Sequence, residues 1–335
     1  MLRRTFIAGL AGAAASPALW PLATRAQQGD RMRRVGVLMV GDENDLDAKA
    51  YFTGFTQGLT ELGWTAGRNV QIDIRWAAGS VDRMRTFAKE LVGLQPDVLL
   101  ANTTPVTTAL RRETRTIPIV FAVVADPVGD GFVDGLARPG GNITGFINIE
   151  AAMAGKWLQL LTEIAPGVKR AAMLFNPDTA PGRGSYYLPA FEAACRSLKV
   201  EPIAAPIRGE ADIETAITSL GREPGGGLIV MSDGGFMFVH RAAIISLAAA
   251  NKVPVVYPNN AFVRNGGLLA YGPDRVNIFY RSSSYVDRIL RGAKPAELPV
   301  QVPIKFEMAL NAKTAKALGL TVPLSIELSV DEVIE

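Results

Sequence analysis

Three strand-to-loop units occur twice in this chain, in the same order. "RRVGVLMVGDEND" at 33–45 is matched by "KRAAMLFNPDTAP" at 169–181, "PDVLLANTTP" at 96–105 by "GGLIVMSDGG" at 226–235, and "TIPIVFAVVADP" at 116–127 by "KVPVVYPNNAF" at 252–262. Each unit is a basic or turn-forming entry, a continuous apolar run, and a loop rich in Asn, Asp, Thr, Ser or Pro. Apolar runs without alternation are what strands covered on both faces require. A repeat of this length signals one supersecondary architecture built twice. The alternative is that unrelated α/β units share these traits.

The runs read as strands at 35–40, 70–75, 97–101, 117–121, 143–147, 171–175, 200–205, 228–231, 253–257 and 268–271. Helical spacing predicts helices at 46–62, 81–94, 105–113, 152–164, 186–198, 213–220, 236–250 and 276–290. Alternation of this kind predicts an α/β chain with two doubly wound, Rossmann-like parallel sheets. In such sheets ligands bind beyond the carboxyl ends of the strands. All six polar loops are carboxyl-end loops, and if the sheets face one another the loops converge on one cleft. Asn102-Thr103-Thr104-Pro105 reads as a capped helix start, with a threonine hydroxyl accepting from the first turn, Pro105 inside it, and the remaining N–H groups offered to an anion.

Residues 1–26 read as an export signal rather than as fold. Arg3-Arg4-Thr5-Phe6-Ile7 is a charged start, an Ala/Gly-rich apolar stretch follows, and Thr24-Arg25-Ala26 precedes the expected cleavage. The paired arginines fit a twin-arginine signal, with the general secretory route as the alternative. Cleavage after Ala26 removes Arg3, Arg4 and Arg25 and no acid, so 35 basic residues become 32 against 32 acidic ones. The basic balance thus resides in the signal, which argues against a nucleic-acid partner. Cys195 is the sole cysteine and His240 the sole histidine. Both lie within helical patterns, so no internal disulfide, imidazole metal cluster or nucleophilic triad is expected. "DGGF" and "RPGGN" lack the spacing of a dinucleotide or phosphate loop. No enzyme activity, cofactor or metal is expected.

"RRVGVLM", "FTQGLTELGWTAGRNVQIDIRWAAG", "ANTTPVTTAL", "TIPIVFAVVADPVGDGFVDGLARPGGNITGF", "GKWLQLLTEIAPGVKRAAMLFNPDTAP" and "KTAKALGLTVP" together resemble the ABC-transporter substrate-binding proteins related to tryptophan- and tyrosine-binding lipoproteins. The resemblance implies a type I periplasmic-binding-protein fold, with two lobes, a three-stranded hinge and one small-molecule ligand between the lobes. It also implies an ABC permease and ATPase in the inner membrane as partners. The signal has no lipobox cysteine, which fits a free monomer in a Gram-negative periplasm. The implied lobes are residues 31–147 plus 268–301 and residues 148–267 plus 302–335, with hinges near 146–150, 268–272 and 302–307. An exported binder that reports to a sensor kinase or chemoreceptor is the alternative function.

The site residues expected by position are Gly41, Asp42, Thr103, Thr104, Asp126, Asn176, Asp178, Ser232, Asp233, Tyr257 and Asn259, with Tyr186 as a packing surface. An amino-acid ligand needs an anion site and a cation site. The threonines suit its carboxylate, and Asp233, Asp126 or Asp178, in that order, its ammonium. Turn chemistry is the competing reading for Asp126 and Asp178, and core packing for Tyr186.

Overall fold

The computed structural model describes residues 31–233 and 235–335; the expected signal at 1–26 lies outside them. The first lobe runs β1 (Arg33–Met39), α1 (Leu46–Glu61), β2 (Val70–Trp76), α2 (Val81–Gly93), β3 (Val98–Asn102), α3 (Thr104–Glu113), β4 (Ile119–Val124) and β5 (Ile143–Ile147). Its sheet has the order β2-β1-β3-β4-β5, and every pairing is parallel. The second lobe continues with α4 (Met153–Ile164), β6 (Arg170–Phe175), α5 (Leu188–Leu198), β7 (Glu201–Pro206), α6 (Glu210–Gly221), β8 (Gly226–Val230), α7 (Phe236–Val239), α8 (Arg241–Ala250), β9 (Val255–Tyr257), α9 (Asn260–Arg264) and β10 (Leu269–Pro273). The chain then returns to the first lobe as α10 (Arg275–Leu290). It ends on the second with β11 (Phe306–Asn311), α11 (Ala312–Ala317), α12 (Leu324–Glu327) and β12 (Glu332–Ile334).

The second sheet has the order β12-β11-β10-β9-β8-β6-β7, parallel except for the β10/β11 pair. The duplicated units occupy equivalent places: β1 and β6, β3 and β8, β4 and β9. Each sheet carries apolar packing on both faces, which is why its central strands read as unbroken apolar runs. Trp157 is fully buried under the second sheet, and its indole N–H donates to the Tyr271 carbonyl.

Several expectations shift. Residues 268–273, expected in the first lobe, belong to the second sheet, where β10 pairs with β9 and β11. The return to the first lobe falls at Asp274, whose carboxylate caps α10 by accepting from the Asn277 N–H. The helix expected over 236–250 is broken at His240, where φ −93° and ψ 14° end α7. Strand β4 starts at Ile119, later than expected. Strands β11 and β12 carry no strong pattern of their own; they form because the edge of the second sheet accepts them.

Helix α10 lies across α1. Gly58 permits that approach, since a Cβ there would stand 2.3 Å from the Ser283 Oγ and 2.7 Å from the Tyr280 carbonyl oxygen. The three crossovers run side by side. The Ile147 N–H donates to the Gln301 carbonyl and the Gln301 N–H to that of Gly145, while the Asp274 N–H donates to that of Lys305. The Lys305 ammonium also holds Asp274 at 2.8 Å and Glu307 at 2.9 Å.

Candidate functional site

The carboxyl ends of β3, β4, β8 and β9 meet between the sheets. They enclose an inner cavity lined by Thr103 and Val123 of the first lobe, by Ser232, Asp233, Phe238 and Asn259 of the second, and by Arg275 at the start of α10. Its volume is about 10 Å³, room for one water molecule at most. Anything larger enters only if the lobes part. An outer chamber of about 370 Å³ also lies between the lobes, lined by Met84, Thr104, Thr108 and Asp130 of the first lobe and by Asp178 and Arg183 of the second. That volume falls within the range of small-molecule sites. Successive residues Thr103 and Thr104 line the two spaces.

The backbone is strained at this point. Thr103 has φ 78° and ψ 165°, and Val123 has φ 66°. Such angles are unfavourable for any β-branched residue, and the Thr103 pair lies in a region populated almost only by glycine. Val123 sits at the irregularity in the β4/β5 register. The Thr103 N–H donates to the Ala122 carbonyl, so the two distortions are hydrogen-bonded neighbours. Strain of this kind collects at ligand clamps, where the surroundings hold it.

Polar atoms without partners mark the same region. The Thr103 Oγ1, Asn148 Oδ1, Tyr187 OH, Asn259 Nδ2 and Arg275 Nε atoms are all buried and unbonded. A buried unpaired polar group costs about 1–3 kcal/mol, so a cluster of them calls for an explanation. Asn148, on the first crossover, does donate through its Nδ2 to the Ser232 Oγ at 2.9 Å.

Asp233 is 2 % exposed and is held by its own lobe. It accepts from the Met237 N–H at 3.0 Å, the Asn176 N–H at 3.3 Å and the Thr179 hydroxyl at 3.5 Å. Burial pushes its carboxyl up to about 6, and those hydrogen bonds pull the other way. Asp130 also rises to about 6, from burial first and then from the neighbouring charge of Asp126. The Tyr187 phenol is raised mainly by burial, while Arg275 lowers it and Asp233 and Asp126 raise it, so all three charged groups lie within electrostatic reach of that ring.

The structure brings Thr103, Ser232, Asp233 and Asn259 together around the inner cavity, and Thr104 and Asp178 around the outer chamber. The others stand as follows. Gly41 packs where its lobe meets the second, with the Phe238 ring 3.9 Å from its Cβ position. Asp42 is exposed and accepts from the Asn44 N–H in a local turn, so it stands outside the cavity lining. Asp126 accepts from the Gly129 N–H at 2.8 Å, as the turn reading requires, yet it also acts on Tyr186 and Tyr187. Asn176 accepts from the Asp178 N–H. Asp178 is exposed and paired with Arg208 at 3.2 Å. Tyr186 is half-buried, edge-on to Tyr187. Tyr257 is 1 % exposed and stacked on Phe262 in the core, not in the cleft.

The expected threonine cap is absent: neither Thr103 nor Thr104 caps α3, and Thr104 donates instead to Asp130. Sequence reasoning missed Asn148, Tyr187 and Arg275. Arg275 follows "YGPD", and that strand end, pointing at the cleft, was the available signal.

Residues 34–334 match the family model described as ABC transporter substrate binding protein. Over 294 residues the chain is 26 % identical to a tyrosine-binding protein of Clostridioides difficile, covering 87 % of this chain and 82 % of that one. A conserved domain protein of Vibrio cholerae superposes with a TM-score of 0.82 at 27 % identity, over 90 % of this chain and 100 % of the other. The ABC domain of Streptococcus pneumonia in complex with L-Trp also gives 0.82, at 25 % identity, over 91 % of this chain and 100 % of the other. The chain belongs to the ABC transporter substrate-binding protein family, and its fold is that of the type I periplasmic binding proteins.

Proposed function

We propose that this family member is exported and captures an amino acid, or a related small carboxylate, between its lobes by hinge closure. The observation that carries the reading is the set of unbonded buried polar atoms contributed by both lobes around one cleft. Two similar proteins named or crystallised for tyrosine and L-Trp support the ligand class. Thr103, Ser232, Asp233 and Asn259 form the inner contacts, Thr104 and Asp178 border the outer chamber, and Tyr186 borders the cleft beside Asp126. Closure moves the lobes about the crossovers at 147–152, 273–275 and 301–306. A micromolar ligand supplies about 8 kcal/mol, enough to bias such a motion when the ligand binds the closed form selectively. The twin-arginine-like start directs the chain to a Gram-negative periplasm, and the loaded monomer delivers to an ABC permease and its ATPase.

A thermal-shift screen tests this reading with amino acids, aromatic and aliphatic acids, sugars and nucleobases on ligand-stripped protein. Ligand that binds only the native state raises the melting temperature by mass action. Shifts confined to amino acids or carboxylates support the proposal, and a shift from a sugar or nucleobase alone sinks the ligand class.

A further inference from the structure

The unbonded side-chain atoms that line the inner cavity share one property. The Thr103 hydroxyl, the Asn259 Nδ2 amide and the Arg275 Nε–H can all donate. The Asn259 amide cannot be turned to offer an acceptor, because its Oδ1 already takes the Ala261 N–H at 3.1 Å. The cavity's one carboxylate, Asp233, is occupied by donors of its own lobe. Thr103 and Asn259 are 2 % and 4 % exposed, so bulk solvent does not reach them in the closed arrangement. The Arg275 side chain, half-buried with its Nε atom covered, makes no ion pair or hydrogen bond with the described residues, although those of Arg241 and Arg264 both do. A guanidinium held this way at the first residue of a 16-residue helix adds to the positive end of that helix's dipole.

We propose that Arg275, with the Thr103 hydroxyl and the Asn259 amide, receives the carboxylate of the ligand, so that the protein takes carboxylates and rejects the corresponding amines. This rests on the cleft reading above and deepens it. Arginine suits the role because its planar fork matches a carboxylate and stays charged. The position has a mechanical consequence. Arg275 adjoins Asp274, which is tied to Lys305 on the neighbouring crossover. An anion on Arg275 that also bonds Thr103 and Asn259 links the first lobe, the second lobe and the hinge in one contact set. Arg275 shares the cavity lining with Thr103 of the first lobe and Asn259 of the second, which places it between the lobes.

The test is calorimetric titration of the full-length protein with two probe triads. One is L-tyrosine, 3-(4-hydroxyphenyl)propionate and tyramine; the other is L-leucine, 4-methylpentanoate and 3-methylbutylamine. The expected result is binding of carboxylate-bearing members of at least one triad, none of its amine, and at least a tenfold loss in Arg275→Gln. Arg275→Lys retains part of the affinity, since it keeps charge without the fork. Arg275→Met, which removes an unpaired charge, melts without ligand no lower than wild type, so lost binding does not reflect lost folding. Ser232→Trp, too large for the inner cavity and therefore a block to closure over it, separates the two readings. If Ser232→Trp abolishes binding and Arg275→Gln binds within threefold of wild type, the carboxylate receptor is wrong and the cleft stands. If neither variant changes binding, both are wrong. Binding of an amine as tight as its acid, or no binding of any carboxylate, overturns the proposal.

Discussion

The guanidinium of Arg241, at the first residue of α8 in the second lobe, bonds across the cleft to the Asp45 carboxylate, which caps α1 in the first. Both side chains are mostly buried, at 15 % and 11 % exposure, and Arg241 also lies 4.4 Å over the Phe238 ring. Arg264 makes a second, longer bridge to Asp47 at 3.5 Å. These pairs tie the lobes at the rim and leave each lobe's own core untouched.

Arg241→Ala therefore weakens closure rather than folding. Breaking a buried pair costs several kcal/mol when the remaining charge stays buried, but here Asp45 regains water as the lobes part. Affinity for the ligand should fall about tenfold, which corresponds to ~1.4 kcal/mol. The radius of gyration without ligand should rise in solution scattering. Asp45→Asn, which keeps a capping oxygen, should act in the same direction with little change in melting temperature. Unchanged affinity in both variants would remove the latch.

Asp130 gives a pH signature whose sign is fixed. Its carboxyl rises from 3.8 to about 6 through burial and the charge of Asp126. The folded protein thus binds this proton more tightly than the unfolded chain does. Its contribution to stability is complete below about pH 4 and is lost as the pH rises through 6. Asp130→Asn cannot ionise and keeps an oxygen for the Thr104 hydroxyl. The melting temperature of the variant minus that of wild type should grow between pH 4 and 7. Asp233 titrates in the same window and the same direction, and the subtraction cancels it. A flat difference would mean that neither burial nor the charge of Asp126 raises this carboxyl in the folded protein.

The duplicated units placed the loops around the cleft because strand period and loop position are local properties. Thr103, Ser232, Asp233 and Asn259 all come from such loops. The local pattern failed where tertiary contacts decide. Tyr257 reads as a strand-end polar residue, but Phe262 on the following helix stacks on it and draws it into the core. Asp42 follows the first strand just as Asn176 follows the sixth, yet a turn with Asn44 directs it to solvent. Arg275 carries only a weak signal, its place just after the strand end "YGPD", because its lack of a partner is a property of the folded chain that one sequence does not display. The sequence of residues 268–273 does not specify their lobe, because a strand beside a hinge can join either sheet. It joined the second because β9 and β11 both offer it an edge.

Gly272 tests how closely that strand must approach the cleft. A Cβ at this position would stand 2.0 Å from the Pro258 carbonyl oxygen, a backbone atom immediately before Asn259. Gly272→Ala must displace either β10 at the hinge or the loop that carries the Asn259 amide. We expect a loss of about 2–4 kcal/mol in unfolding free energy, in the range of backbone clashes in a core, together with weaker ligand binding. Denaturant unfolding at constant slope measures the first and calorimetry the second. A variant with normal stability would show that the loop yields at no cost.

Thr103 sets stability against function. At φ 78° and ψ 165° it occupies backbone space that glycine alone enters freely. Holding a threonine there costs on the order of 1–3 kcal/mol. Glycine would relieve that strain, offset in part by its larger entropy loss on folding. Thr103→Gly also deletes the unbonded buried hydroxyl, removing a second unfavourable group. The variant should therefore be more stable than wild type by about 1 kcal/mol, or about 2 °C in melting temperature for a chain of this size. If the hydroxyl serves the ligand, the same variant should bind at least tenfold more weakly. Stability and affinity then move in opposite directions, a result that general damage to the fold cannot produce. A variant that is less stable and binds normally would mean that Thr103 is a packing residue and that its backbone is held for the sake of β3 and β4 rather than for a ligand.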